Sequence, residues 1–250
     1  MKRIKLVVAY DGTAYSGWQV QPGVKTIEGE LNRCLSELLG EEIQVIGASR
    51  TDSGVHALCN VAVFDTGARI PGEKVSYALN QRLPEDIRIR ESSEVDLDFH
   101  PRHCNSKKTY EYRILNAPFA IPTRRLYTHF TYVPLDVELM QKGADYLIGE
   151  HDFKSFCSTA AVVETTVRTI TDIQIEKAGN EISIRVCGTG FLYNMVRIIA
   201  GTLMEIGRGS YPPEYMKEIL EAKDRQAAGP TAPACGLTLV KYEFFAELQQ

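Results

Sequence analysis

The residues best suited to chemistry lie between Gly47 and Ala57, where the carboxylate of Asp52 stands two positions from the guanidinium of Arg50. Apolar, β-branched runs flank this segment at residues 43–46 and 58–64, and they predict a strand on each side. The Ser-Gly pair after Asp52 supplies a turn, because glycine accepts positive φ angles. The pattern predicts a carboxylate on a rigid turn, although Asp-Ser-Gly also forms turns that have no chemical role.

A second candidate is Arg197, the only charged residue in an apolar helix predicted over residues 191–204. Desolvating an unpaired guanidinium is costly, and a carboxylate partner offsets much of that cost. Asp52 is the natural partner; the alternatives are another acid or a side chain that extends to the helix surface. Pairing would lower the pKa of Asp52 and keep it ionised, as a nucleophile or base requires.

Patterns of cofactor and metal sites are weak in this sequence. Gly188-Thr189-Gly190 lacks the third glycine of a dinucleotide-binding turn, because Tyr193 stands in its place. His100, His103 and Cys104 are close together, but no further residues have metal-ligand spacing. We therefore predict neither a metal nor a cofactor.

Hydrophobic periodicity predicts two α+β halves, residues 1–104 with the Asp52 turn and residues 105–250 with the Arg197 helix. In the first half, strands are predicted at 4–10, 43–46, 58–64 and 87–89, and helices at 27–38 and 75–83. In the second half, strands are predicted at 109–115, 167–175, 181–187 and 237–244, and helices near 135–148, over 191–204 and before the last strand.

Composition is that of an ordinary globular protein, with 250 residues, 44% apolar and 24% charged. The formal charge of −4 argues mildly against a nucleic-acid partner, so any such partner must bind a local basic surface. The six cysteines form no Cys-x-x-Cys pair and are predicted to be reduced. No apolar run has membrane-spanning length, so we expect a cytoplasmic protein without a membrane partner.

The Asp52 segment resembles the active-site motif of the tRNA pseudouridine synthase A family (bacterial TruA-type), Gly-Arg-Thr-Asp-Ala-Gly-Val-His, with Ser49 and Ser53 as departures. Four further stretches match the family in the same order along nearly the whole chain. They are Tyr10–Thr13 with Tyr15 and Gly17–Gln19, Phe99-His100, Lys108–Arg113, and Gly190–Arg197. His103 is a third departure, because an aromatic residue is usual there.

This resemblance implies two α/β lobes with mainly antiparallel sheets joined across a central basic cleft. It also implies an isomerase that converts uridine to pseudouridine in the anticodon stem-loop of tRNA, at position 38, 39 or 40, as a homodimer without a cofactor. Asp52 would be the catalytic residue, acting on the ribose or on the base, and the basic residue at position 197 would contact it. The base that removes the C5 proton could be Asp52, a water molecule or a phenol.

Tyr110 and Tyr112 lie on one face of a predicted strand, with Glu111 on the other. One tyrosine could stack on a displaced base and relay a proton, or both could be core residues. The family pattern favours Tyr110. The candidate phosphate contacts are Arg50, Arg102, Lys107, Lys108, Arg124, Arg125 and Arg168, and Arg50 could also fill the gap left by a flipped base.

Two other functions fit parts of the sequence. A non-catalytic RNA-binding or tRNA-chaperone protein would share the basic residues, but a carboxylate facing a polyanion would weaken its binding. A glycoside or nucleoside hydrolase would need a second carboxylate at a defined separation. Asp11 is the nearest candidate for that carboxylate, and Asp11-Gly12 is more typical of a turn.

Overall fold

The computed structural model describes residues 1–160 and 163–245, which form an α+β fold with a large, mostly antiparallel sheet. The chain divides into two compact units. Unit 1 contains Met1–Asn105 and the described residues from Leu239 onward, and unit 2 contains Ser106–Thr238.

The strands of the described residues are β1 Lys2–Tyr10, β2 Ile46–Gly47, β3 His56–Thr66, β4 Ile87–Val95, β5 Ser106–Asn116, β6 His129–Thr131, β7 Gly149–Asp152, β8 Val167–Ala178, β9 Glu181–Gly188 and β10 Leu237–Phe244. The helices are α1 Ile27–Leu39, α2 Val75–Leu79, α3 Val137–Asp145, α4 Met195–Gly207 and α5 Tyr215–Ala222.

Unit 1 is built on strands in the order β4-β1-β3-β10, with the short β2 beside β3. β1 runs antiparallel to β3 from Lys2↔Thr66 to Val8↔Asn60. Helix α1 begins where the sequence predicts, because the Thr26 hydroxyl accepts a hydrogen bond from the Gly29 N–H at 3.2 Å. Its buried residues, Ile27, Leu31, Cys34 and Leu35, recur at helical spacing.

Unit 2 contains the antiparallel strands β5-β9-β8-β7, and β6 runs parallel to the end of β5. Helix α4 is buried along its whole length except at Arg197 and Glu205. It packs against α3 and β5. The apolar helix predicted around Arg197 is therefore present and mostly buried.

Three of the differences from the predicted bounds have a local reason that the structure shows. Residues 43–45 form no strand, because the N–H groups of Ile43 and Val45 donate to side chains of α1 instead. Helix α2 ends at Leu79 because the amide of Asn80 exchanges two hydrogen bonds with the backbone of Ile89, each of 2.8 Å. Helix α4 starts at Met195 rather than at residue 191, because Asn194 has a left-handed backbone conformation.

Candidate active site

Asp52 is half-buried on the connection between β2 and β3 in unit 1. The predicted turn is confirmed, since Gly54 has a φ of 76° and the Val55 N–H donates to the Asp52 carbonyl at 3.1 Å. The connection is longer than a hairpin turn, because residues 48–55 separate the two strands. Contacts from outside it are therefore needed to fix the carboxylate.

The segment that follows β1 provides those contacts. The backbone N–H of Trp18 donates to the Thr51 carbonyl at 3.0 Å. The Tyr15 carbonyl accepts from the Ser53 hydroxyl at 3.1 Å and from the Gly54 N–H at 3.3 Å. Tyr10 Oη and Thr51 Oγ1 share a buried hydrogen bond of 2.7 Å. The Asp52 turn is thus held on both of its sides.

Two glycines allow this close approach. An added Cβ at Gly12 would lie 2.0 Å from the Val55 carbonyl oxygen, and one at Gly47 would lie 2.3 Å from Nε1 of the fully buried Trp18. In the sequence, Gly12 and Trp18 stand in a stretch that matches the family, and Gly12 is also part of the predicted Asp11-Gly12 turn. The structure gives both a physical role, which is to support the Asp52 connection.

Asp11 and His56 complete the support of this region. Asp11 Oδ1 accepts from both the N–H and the hydroxyl of Thr13, so Asp11-Gly12 forms the turn that the sequence predicts. The buried His56 lies with Nδ1 3.1 Å from the Gly12 nitrogen and 3.2 Å from Asp11 Oδ1. His56 therefore ties the Asp11 turn to the start of β3.

Arg50 is exposed on the same connection as Asp52. Arg102 lies close to it, since the Arg102 Nε–H donates to the Gly47 carbonyl at 2.7 Å. Desolvation, together with the positive charge of Arg50, lowers the pKa of Arg102 from its ordinary value. Two guanidinium groups therefore give the surface beside the Asp52 turn a local positive charge, despite the overall charge of the chain.

In unit 2, the two tyrosines of β5 are buried and have different surroundings. The Tyr112 hydroxyl donates to the Pro233 carbonyl at 2.9 Å, and burial raises the pKa of Tyr112. The Tyr110 ring meets the Phe191 ring edge-to-face with centroids 5.2 Å apart. Phe191 lies just before α4, so Tyr110 is next to the segment that leads into the Arg197 helix.

Glu111 is buried between two half-exposed arginines of unit 2. Arg185 Nε–H donates to its carboxylate at 2.7 Å, and Arg113 Nε–H donates to the other carboxylate oxygen. Burial alone would raise the pKa of Glu111, but the two guanidinium groups outweigh it and lower that pKa below its usual value. The two ion pairs explain how the Glu111 carboxylate can be buried on the face of β5 opposite the tyrosines.

We predict that Glu111 contributes stability that is fully present above its unfolded-state pKa and is lost as the pH falls through its lowered folded-state pKa. Glu111→Gln should lower the free energy of unfolding by about 1–3 kcal/mol at neutral pH and by much less in strong acid. Urea denaturation between neutral and acidic pH measures this difference. Glu150→Gln, at an exposed position of the same unit, is the matched control, and an equal effect of both variants would contradict the prediction.

Arg197 is the third residue of α4, and it is half-buried. Its Nε–H donates to the Ala232 carbonyl at 2.8 Å, and its Nη1–H donates to Asn194 Oδ1 at 2.9 Å. Its positive charge opposes the rise in pKa that burial causes at Tyr112 and Cys235. The guanidinium is therefore held in place within unit 2 by two acceptors of that unit.

The other basic candidates do not form one patch. Lys108 on β5 lies opposite Gly188 on β9, and the Arg168 side chain lies beside Gly190. These two basic residues therefore share one end of the sheet of unit 2. Arg124 forms an ion pair of 2.5 Å with Glu181, which pairs with Leu115 near the other end of β5. Arg125 donates to the Pro122 carbonyl close to Arg124, and Lys107 precedes Lys108 on β5.

Within residues 1–160 and 163–245, no three His, Cys, Asp or Glu side chains come close enough to hold a metal ion. In the same residues, no helix combines the length and the apolar character needed to cross a membrane.

The model of a family described as tRNA pseudouridine synthase matches residues 6–103 and 144–244. The Asp52 turn and the Arg197 helix lie inside this match, and Tyr110 lies outside it. A protein of Brevibacillus brevis named tRNA pseudouridine synthase A is 51% identical over 239 residues, which cover 96% of this chain and 98% of that protein. A protein of the same name in Acetivibrio thermocellus is 48% identical over 241 residues, with 96% and 99% covered.

Among solved structures, the archaeal box H/ACA sRNP Nop10-Cbf5 complex matches with a TM-score of 0.36 and 11% identity. That match covers 90% of this chain and 59% of the other chain, and such a low score supports no conclusion about this protein.

Proposed function

The chain belongs to the tRNA pseudouridine synthase family, and from that premise we propose that Asp52 is the catalytic residue of an enzyme acting on the anticodon arm of tRNA. The protein is an isomerase that converts uridine to pseudouridine in tRNA. In that reaction the bond from C1′ of the ribose to N1 breaks and a bond from C1′ to C5 forms. The C5 hydrogen leaves as a proton, and N1 gains one.

The observation that carries the proposal is the anchoring of the Asp52 turn. Tyr10, Tyr15 and Trp18 hold this turn through hydrogen bonds to Thr51, Ser53 and Gly54, while Asp52 itself is not fully buried. A catalytic group gains most from such fixed placement, because the reacting atoms then need no rearrangement. A turn that served only to connect two strands would not need these four contacts with another segment.

In the proposed mechanism, the target nucleotide leaves its helix before it reacts, because the reacting atoms of a stacked base are not accessible. Contacts with tRNA phosphates supply the free energy for unstacking. Arg50 fills the gap left by the base, with Arg102 beside it. Lys107, Lys108, Arg124, Arg125 and Arg168 supply further phosphate contacts on unit 2.

Arg197 is proposed to pair with Asp52 and to keep its carboxylate ionised and oriented. The two residues belong to different units, which we propose are the two lobes of a pseudouridine synthase fold with a basic cleft between them. We also propose a cytoplasmic homodimer that binds tRNA, on the family resemblance alone. Light scattering of the purified chain tests the dimer.

Release of tritium from tRNA labelled at C5 of uridine tests the function, because only formation of the C5–C1′ bond expels that hydrogen. The unaltered protein should release it from a tRNA with uridine at position 38, 39 or 40. A matched tRNA with cytidine at all three positions should give no release. Equal release from both would overturn the assignment to the anticodon arm.

Tyr110→Phe should keep the ring that contacts Phe191 and slow the reaction by about 100-fold, because general acid–base groups contribute on the order of 100-fold or more. The single-turnover rate at saturating enzyme is the measurement. The matched control is Tyr112→Phe, which removes the hydrogen bond to Pro233 and should lower stability by about 1 kcal/mol without slowing turnover. A full rate in Tyr110→Phe would show that the hydroxyl does not relay a proton.

A further inference from the structure

Asn194, the residue immediately before α4, has an unfavourable backbone conformation. Its φ is 62° and its ψ is 6°, in the left-handed region. In the part of the chain that the structure describes, Lys223 is the only other residue besides glycines with a positive φ. Asparagine enters this region more readily than other residues that have a side chain, but the region is still less favourable for it than the right-handed helical one, and such a conformation persists where the surrounding structure imposes it.

Asn194 also gives up the usual function of asparagine at a helix start. An asparagine at this position normally accepts a hydrogen bond from a backbone N–H of the first turn. Here the side chain caps no backbone N–H, and its Oδ1 accepts from Nη1 of Arg197 at 2.9 Å instead. The strained backbone and the missing helix cap of Asn194 therefore occur together with a single side-chain hydrogen bond, the one from Arg197.

Ala232 holds the same guanidinium from a second direction. Its carbonyl accepts from the Arg197 Nε–H at 2.8 Å, and its N–H donates to the Arg197 carbonyl at 3.1 Å. Because the guanidinium is planar, two acceptors at different nitrogens fix both its position and its plane. Without Asn194 Oδ1, one of these two contacts is lost, and the orientation of the guanidinium is less firmly fixed.

We propose that Asn194 is a positioning residue that orients the Arg197 guanidinium for the reaction. This inference rests on the proposed function, in which Arg197 pairs with the catalytic Asp52. In the sequence, Asn194 stands in the stretch Gly190–Arg197 that matches the family, and no local pattern indicates its role. Its left-handed conformation and its contact with Arg197 depend on the three-dimensional structure.

Asn194→Gly separates positioning from folding, because glycine accepts a φ of 62° without strain but has no side-chain acceptor. The thermal midpoint should stay the same or rise. The single-turnover rate at saturating enzyme should fall roughly 10- to 100-fold, as expected for one hydrogen bond to a charged group, with little change in tRNA affinity. Asn194→Asp, which keeps an acceptor oxygen, should restore most of the rate.

Lys223→Gly is the matched control for the release of strain. Lys223 follows α5 with a φ of 48°, and its ammonium group forms an ion pair of 3.0 Å with Asp152. Glycine is favoured at this place after a helix. This variant should raise the thermal midpoint without changing the rate.

A double-mutant cycle with Arg197→Lys tests whether Asn194 acts through Arg197. If it does, Asn194→Gly should cause little further loss in the Arg197→Lys background. Additive losses, or a fall in thermal midpoint parallel to the fall in rate, would overturn the proposal. Failure of the proposed function gives a different result, because Asp52→Asn would then remain active. If Asp52→Asn is inactive and Asn194→Gly is fully active, only this inference is overturned.

Discussion

Asp52→Asn should reduce pseudouridine formation more than ~1,000-fold, the scale on which loss of a central catalytic group slows an enzyme, while the protein still folds and binds tRNA. Asparagine has nearly the same shape as aspartate but cannot act as a base or a strong nucleophile. Binding should persist or become slightly tighter, because the change removes a negative charge that would face a polyanion. Tritium release and filter binding, each with labelled tRNA, measure the two quantities.

Asp96→Asn is the control for the change in net charge. Asp96 is an exposed aspartate of the same unit, and its replacement should leave the rate within a few-fold of the unaltered protein. Near-normal tritium release from Asp52→Asn would exclude Asp52 as the catalytic residue. A loss of binding as large as the loss of rate would instead assign Asp52 a role in tRNA recognition.

Gly12→Ala should lower the free energy of unfolding by about 3 kcal/mol, at the upper end of the usual range for overpacking a core. The added Cβ would lie 2.0 Å from the carbonyl oxygen and 2.7 Å from the carbonyl carbon of Val55. Both are backbone atoms, so no side-chain rotation relieves the overlap. Val55 must move, and it is hydrogen-bonded to the Asp52 carbonyl.

The same variant should therefore slow the reaction as well, by about 100-fold, since a displacement of ~1 Å at a reacting group has that effect. Urea denaturation and single-turnover kinetics measure the two changes. Gly67→Ala is the matched control, because its Cβ would meet only Glu41 Oε1 at 3.5 Å, an ordinary contact. Equal stability of the two variants would show that the connection around Asp52 shifts easily, and would contradict its proposed rigidity.

Much of the fold could be predicted from local patterns. Hydrophobic periodicity predicted α1, β1 and β5, and the final strand at Leu237–Phe244 was predicted with its observed bounds. These elements depend mainly on interactions within a few residues, which a sequence displays directly. The predicted bounds of β2 and α2 were wrong because hydrogen bonds between a side chain and a distant backbone replace the regular pattern, at Ile43 and Val45 for β2 and at Asn80 for α2.

The candidate site shows a similar division. The order of the matching motifs predicted the family and the residues proposed for catalysis, and Ser-Gly after Asp52 predicted the turn. The sequence did not predict that Glu111 is buried between Arg113 and Arg185, because the pairing of β5 with β9 brings Arg185 to it.

By itself, the sequence determined the family, the chemistry and the turn that carries Asp52, because motif residues and turn residues are recognisable from neighbours in the chain. Only the tertiary structure decided what holds that turn. Gly12 meets Val55, and Trp18 meets Gly47, across separations in the chain that no local pattern encodes. Such contacts depend on strand register and close packing, in which one added methyl group decides whether two backbone segments can meet.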